Sequence, residues 1–137
     1  MQNKCAKLLV MAVVAVSAVT VNAQTVKGTI ALPASPIGVA VDPFLNRVYA
    51  AVPTFNGSYD YLSVIDGNKD VDIKNVTIPP IAYAVAVDLV RSLVYVGGQN
   101  FSTGASEVTV VSALTNKVVT TFQVTGTSSG VGSLLWL

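Results

Sequence analysis

Between residues 38 and 78 the chain runs through four short apolar stretches separated by turn-forming residues. Apolar and polar positions alternate with a period of two, and Val, Ile, Tyr and Thr dominate. The pattern predicts strands over residues 38–41, 47–52, 61–66 and 73–78. Asp42-Pro43 and Asn46 separate the first pair, Asn56-Gly57 the second, Asp66-Gly67-Asn68 the third, and Pro79-Pro80 closes the unit. Asn and Gly tolerate positive φ, and Pro cannot donate to a central ladder, so each breaker has a mechanical reason to be there. Outside the N-terminal 23 residues no window sustains the 3.6-residue period of a helix.

The unit then recurs. Val39-Ala40-Val41-Asp42 returns as Val85-Ala86-Val87-Asp88, an offset of 46, and Val48-Tyr49 returns as Val94-Tyr95. At the same offset Phe55 matches Phe101, Leu62-Ser63-Val64-Ile65 matches Val108-Thr109-Val110-Val111, and Val76 and Ile78 match Phe122 and Val124. Residues 26–32 match residues 72–78 and are expected to form a leading outer strand. A third copy starts at Val124 and fades after Gly130-Val131, where Leu134 replaces the next Asp. Four antiparallel strands at this period are the sequence form of a β-propeller blade. The expected organisation is a leading strand at 26–32, one blade over 33–78, a second over 79–124, and a stub over 125–137.

Several blocks, in order, resemble the YVTN family of propeller repeats. They are Gly38-Val39-Ala40-Val41-Asp42-Pro43, Asn46-Arg47-Val48-Tyr49-Ala50-Ala51, Leu62-Ser63-Val64-Ile65-Asp66-Gly67 and Thr115-Asn116-Lys117-Val118-Val119-Thr120-Thr121-Phe122. The family tetrapeptide departs to Tyr49-Ala50-Ala51-Val52 and Tyr95-Val96-Gly97-Gly98, and the loops that follow are longer. The resemblance implies an all-β fold of about two four-stranded antiparallel blades in an incomplete ring. A closed propeller has about four to eight blades, so the expected parent is a longer propeller of which this is a fragment. A truncated reading frame and a ring assembled from several copies are the alternatives.

The N-terminus changes the picture of location. Lys4 and Lys7 precede a 14-residue apolar run at 8–21, followed by Val21-Asn22-Ala23. This is the layout of a secretory signal helix cleaved after Ala23. The run is shorter than the roughly 20 residues that span a bilayer, so no membrane span is expected once the signal is removed. A secreted, periplasmic or cell-surface protein is the expectation. Residues 24–137 contain six Lys or Arg and seven acids, a formal charge of −1, with no His and no Cys. No basic stripe is present to neutralise phosphates, so nucleic acid is not an expected partner. Without His or Cys there is neither a serine triad nor a thiolate or imidazole metal site.

Candidate chemistry is sparse. Asp66-Gly67-Asn68-Lys69-Asp70-Val71-Asp72 opens like a calcium loop but has Val71 at the sixth position and Thr77 at the twelfth, so it reads as a solvated turn. Asp42 and Asp88 read as turn caps. Tyr49 and Tyr95 are expected to pack between blades, with their hydroxyls reaching a partner at the edge. Asn56, Asn75 and Asn100 begin N-x-S/T sequons. Phe55 with Asn56, and Asn100 with Phe101, sit in polar loops and are the candidate partner contacts. No catalytic residue, metal ligand or cofactor is assigned. The expected role is a binding or scaffold surface for an unidentified protein or cell-surface ligand, with self-association through exposed blade faces. By resemblance, the enzymatic alternative is part of a quinone-linked dehydrogenase or metal-dependent lactonase propeller.

Overall fold

In the computed structural model, residues 25–100 and 103–124 are described. The expected signal helix, Phe101 and the expected stub over 125–137 lie outside the described residues. Eight strands follow one another: β1 (Gly38–Asp42), β2 (Arg47–Val52), β3 (Asp60–Asp66), β4 (Val71–Ile78), β5 (Ala84–Asp88), β6 (Leu93–Gln99), β7 (Ser106–Ser112) and β8 (Lys117–Gln123). There is no helix among the described residues. The strands form two four-stranded antiparallel sheets, ordered β1-β2-β3-β4 and β5-β6-β7-β8.

The 46-residue offset is visible in the register. Ala40 faces Tyr49 in the first sheet, and Ala86 faces Tyr95 in the second. The β3–β4 ladder shifts between Val64 and Ile65, and the β7–β8 ladder shifts at the matching Val110 and Val111. Turn geometry repeats as well. Asn46 and Ser92 take φ of 49° and 54° in the first turn of each sheet, while Asp70 and Asn116 both take 53° in the last. Asp42 Oδ1 accepts the Phe44 and Leu45 N–H groups at 2.9 and 3.0 Å, and Asp88 Oδ1 accepts those of Val90 and Arg91 at 3.0 and 2.9 Å. Each repeated carboxylate therefore closes its own turn.

The sheets stack face to face, with β5 against β1 and β8 near β4. Side chains alternate along each strand, so Tyr49, Ala51, Leu62, Val64, Val76 and Ile78 share one face of the first sheet. They pack against Val85, Val94, Val96, Val111 and Ala113. By the repeat offset, those residues match Val39, Val48, Ala50, Ile65 and Gly67 of the first unit, which belong to its other side. The front of the first sheet thus lies on the back of the second. Each fully buried large side chain here, such as Leu62 or Val64, contributes roughly 1.5–3 kcal/mol of burial free energy.

The leading segment departs from expectation. Residues 26–32 form no strand; Ile30 and Leu32 instead pack on Ala50, Val52 and Ile65, on the back of the first sheet. The matching strand, β4, is held by its ladder to β3. No strand in that position precedes residue 26 among the described residues, so the segment's apolar side chains cover a sheet face without joining a ladder.

Candidate functional site

The two sheets are joined at one end by residues 79–83, where Ile81 and Ala82 are fully buried. Three features of the chain make room for this linker and hold it. Gly38 lies against it, since a Cβ at that position would fall 2.4 Å from the Tyr83 carbonyl oxygen. Gly98 lies closer still, with 2.1 Å from its would-be Cβ to the Ile81 carbonyl oxygen. The departure to Gly at position 98 is therefore the condition for the linker to pass. Tyr83 N–H completes the seam by donating to Gly97 O at 3.2 Å.

Asp60, buried at the start of β3, is the third feature. Its Oδ2 accepts the Ala82 N–H at 3.0 Å, and its Oδ1 accepts the Thr54 N–H at 2.8 Å. One carboxylate thus ties the linker to the β2–β3 loop. The position 46 residues later holds Ser106, so the carboxylate itself is not repeated.

The β2–β3 loop above Asp60 is closed on itself. Thr54 Oγ1 donates to the Tyr59 carbonyl, and Asn56 Oδ1 accepts the Ser58 and Tyr59 N–H groups at 2.8 and 3.2 Å. Phe55 is held at φ 55° and is 75% exposed. A bulky residue in the left-handed region costs about 1–2 kcal/mol relative to ordinary backbone. Nothing is returned by burial here, so the loop holds the ring out against its own backbone preference. Tyr59 and Tyr61 stand beside it in sequence, with ring centroids 5.3 Å apart and planes at 65°. The Tyr59 hydroxyl, then partial burial, pushes the Tyr61 phenol upward.

The four loop residues singled out from sequence divide accordingly. Phe55 projects to solvent, and Asn56 closes the loop that presents it. Asn100 serves its own loop: its carbonyl accepts the Gly104 N–H at 2.7 Å, and its Nδ2 donates to Glu107 at 3.4 Å. Phe101 lies outside the described residues. Of the other sequon asparagines, Asn75 has its amide engaged by Asp72 at 2.8 Å and its Oδ1 by Ser63.

The opposite end carries the turns. Arg47 on β2 reaches across to the β7–β8 turn, donating to Ala113 O and, at 3.3 Å, to Asn116 Oδ1. Its match in the second unit is Leu93. The Tyr49 hydroxyl is buried without a hydrogen-bond partner, which corrects the expectation of an edge contact. The residue lies inside the sheet stack, and burial raises its phenol while Arg47 opposes the shift. Asp66, at the start of the calcium-like stretch, accepts the Asn68 and Lys69 N–H groups at 2.8 and 3.2 Å, as a turn cap does. Arg91 bonds Asp88 at 2.9 Å, and its hydrogen bonds hold the Asp88 carboxyl below its usual range. Among the described residues no three acidic, His or Cys side chains converge.

The roles of Arg47, Asp60 and Gly98 escaped the reading of the sequence. Their signal was present as a break in the repeat, since each differs in kind from its counterpart at Leu93, Ser106 or Val52. No family model matches the chain, and no curated protein matches it either. What fold and loops define is an all-β protein of two equivalent four-stranded sheets stacked in one sense, with a self-closed aromatic loop at the linker end.

Proposed function

We propose that this chain is an extracytoplasmic binding module built from β-propeller-type blades, with the β2–β3 loop as its contact surface. The observation that carries the reading is Phe55. It is three-quarters exposed, at positive φ, on a loop whose hydrogen bonds fix it before any partner arrives. Preorganisation of that kind lowers the entropy lost on association, and exposed aromatics are the side chains that most often anchor interfaces. The YVTN-like repeat and the front-to-back stacking support the blade assignment, because a propeller adds each sheet to the last in the same sense. The signal-like N-terminus supports export. Partner contact through Phe55 and Tyr59 suits a protein or glycan surface with an apolar face.

The same stacking sense supports self-association. Val39 and Val41 on the first sheet, each 59% exposed, match Val85 and Val87 of the second, the side on which stacking occurs. Sedimentation velocity over a range of concentrations reads this out, with growth beyond the monomer as the expected result.

The test of the contact surface is binding of the purified, labelled chain to intact cells of its source and to isolated envelope polysaccharide. Phe55→Ala and Tyr59→Ala are expected to weaken binding while leaving the circular dichroism spectrum unchanged. Binding that survives both substitutions but is lost with Phe44→Ser, at the turn end, overturns the assignment.

A further inference from the structure

We propose that residues 26–32 are an autoinhibitory strap, holding the back of the first sheet against a second copy of this chain whose Phe122 and Val124 fit the same place. The inference rests on the self-association reading above and adds the segment that controls it. The strap lies where β4 lies one unit later. By the repeat offset Ile30 and Leu32 match Val76 and Ile78. The seams that follow match as well: Ile37 N–H donates to Ala51 O at 3.0 Å, and at the 46-residue offset Tyr83 N–H donates to Gly97 O at 3.2 Å. The segment and its linker therefore approach the first sheet as β4 and its linker approach the second.

What each apolar pair meets is equivalent too. Val76 and Ile78 belong to the cluster that holds Val96 and Val111 of the second sheet, and they are 6% and 2% exposed. Ile30 and Leu32 are half-buried on the cluster of Ala50, Val52 and Ile65, and Ala50 and Ile65 match Val96 and Val111. The next pair in the series is Phe122 on β8 and Val124 just past it, and these are 47% and 43% exposed. Phe122 faces Val108 across its ladder as Val76 faces Leu62, so it stands on the matching side of its sheet. The second sheet thus presents an apolar pair whose complement is the back of a further sheet.

Two apolar pairs therefore compete for one surface. Ile30 and Leu32 hold it from within the same chain, with the advantage in effective concentration that a short tether confers. A second copy seats its Phe122 and Val124 only once the strap lifts. Lifting breaks no sheet ladder, because residues 26–32 form no strand and are held by side-chain packing. The strap covers β2 and β3 and leaves Val39 and Val41 of β1 exposed, which gives an arriving copy a footing before the strap moves. Front meets back in this contact, so association is head-to-tail and continues the stacking already present between the two sheets.

The experiment is sedimentation equilibrium of the purified chain over a range of concentrations. It compares wild type, Ile30→Ser with Leu32→Ser, and that double variant with Phe122→Ser added. The double substitution is expected to tighten association by about tenfold or more, because the second copy no longer displaces a tethered occupant. Adding Phe122→Ser is expected to return association to the wild-type value or below. Near-UV circular dichroism reports on packing; where the double variant loses that signal, Ile30→Ala trims one half-buried side chain and takes its place, with an expected tightening of about threefold. A strap variant that associates no more tightly than wild type overturns the strap and leaves self-association standing. No association in any variant overturns both. Tightening that survives Phe122→Ser overturns the proposal as well, since the second copy then docks by some other surface.

Discussion

Removing the Asp60 carboxylate is the sharpest way to test how the two sheets are held in place. In Asp60→Ala the N–H of Ala82 and the N–H of Thr54 both lose their acceptor. Ala82 is fully buried, so water does not replace the lost bond without opening the seam. An unsatisfied buried donor costs about 1–3 kcal/mol, and bonds to a charged acceptor lie at the upper end of the hydrogen-bond range. The partly buried Thr54 adds less. The expected destabilisation is therefore about 3 kcal/mol. A domain of this size has about 5–10 kcal/mol in all, so a third or more of the stability is at stake. With a urea m-value near 1 kcal/mol per molar, the unfolding midpoint falls by about 2–3 M.

Equilibrium urea unfolding followed by tyrosine fluorescence and by circular dichroism measures this, and coincident curves justify a two-state treatment. Asp60→Asn retains one acceptor and is expected to fall between wild type and Asp60→Ala. Hydrogen exchange gives the local readout: the Ala82 and Thr54 amides lose protection before those of β6 or β7. A midpoint that moves by less than about 0.5 M in Asp60→Ala refutes the reasoning, because two unsatisfied donors of this kind are inconsistent with so small a change.

Gly98→Ala is expected to cost about 1–3 kcal/mol, since the new methyl meets the Ile81 backbone oxygen and not a movable side chain. Gly57→Ala, strained at φ 73° but in open space, serves as its milder comparison in the same unfolding assay. Arg47→Leu, which installs the residue found at the matching position, removes the donor to Ala113 O and Asn116 and is expected to lower stability by about 1–2 kcal/mol. Unchanged unfolding would mean that the cross-sheet bonds are replaced by water. Asp88 gives a pH prediction. Its folded pKa is depressed below the usual 3.8 by Arg91, so its contribution is fully present above that value and is lost as pH falls through the lower folded pKa. An acid unfolding series should therefore be flatter below pH 3.8 for Asp88→Asn than for wild type.

Strand positions were legible because they rest on local chemistry. The period-two alternation located β1 to β4, the 46-residue offset carried them to β5 to β8, and Asn46, Asp66-Gly67 and Pro79-Pro80 placed the breaks of the first unit. The turn-capping role of Asp42 and Asp88 was legible for the same reason: an aspartate two and three residues before the N–H groups it accepts needs no tertiary information. Residues 26–32 misled because their resemblance to β4 is real, yet a strand is defined by its ladder partner, which local sequence does not specify. The buried, unpartnered Tyr49 hydroxyl was hidden likewise. Packing of Tyr49 between sheets was legible from the repeat, but nothing in Val48-Tyr49-Ala50 says which polar group, if any, meets its hydroxyl.

The contrast between repeated and unrepeated residues also says where function resides. Within the strands and their turns, what recurs at the 46-residue offset builds a sheet: Ala40 and Ala86, Tyr49 and Tyr95, Val64 and Val110, the shared bulge and the shared αL turns. Ser63 with Asn75 and Thr109 with Thr121 even keep the same cross-strand polar pair with different residues. Whatever fails to recur acts between sheets or toward solvent. Arg47 and Asp60 join neighbouring parts, Gly98 yields space to the linker, and Asn56-Gly57 fixes the Phe55 loop. A repeated strand residue is constrained by two sheets at once and is poorly placed to serve a function needed at one. Substitutions in the Phe55 loop should therefore separate binding from folding, whereas substitutions at matched strand positions should lose both together.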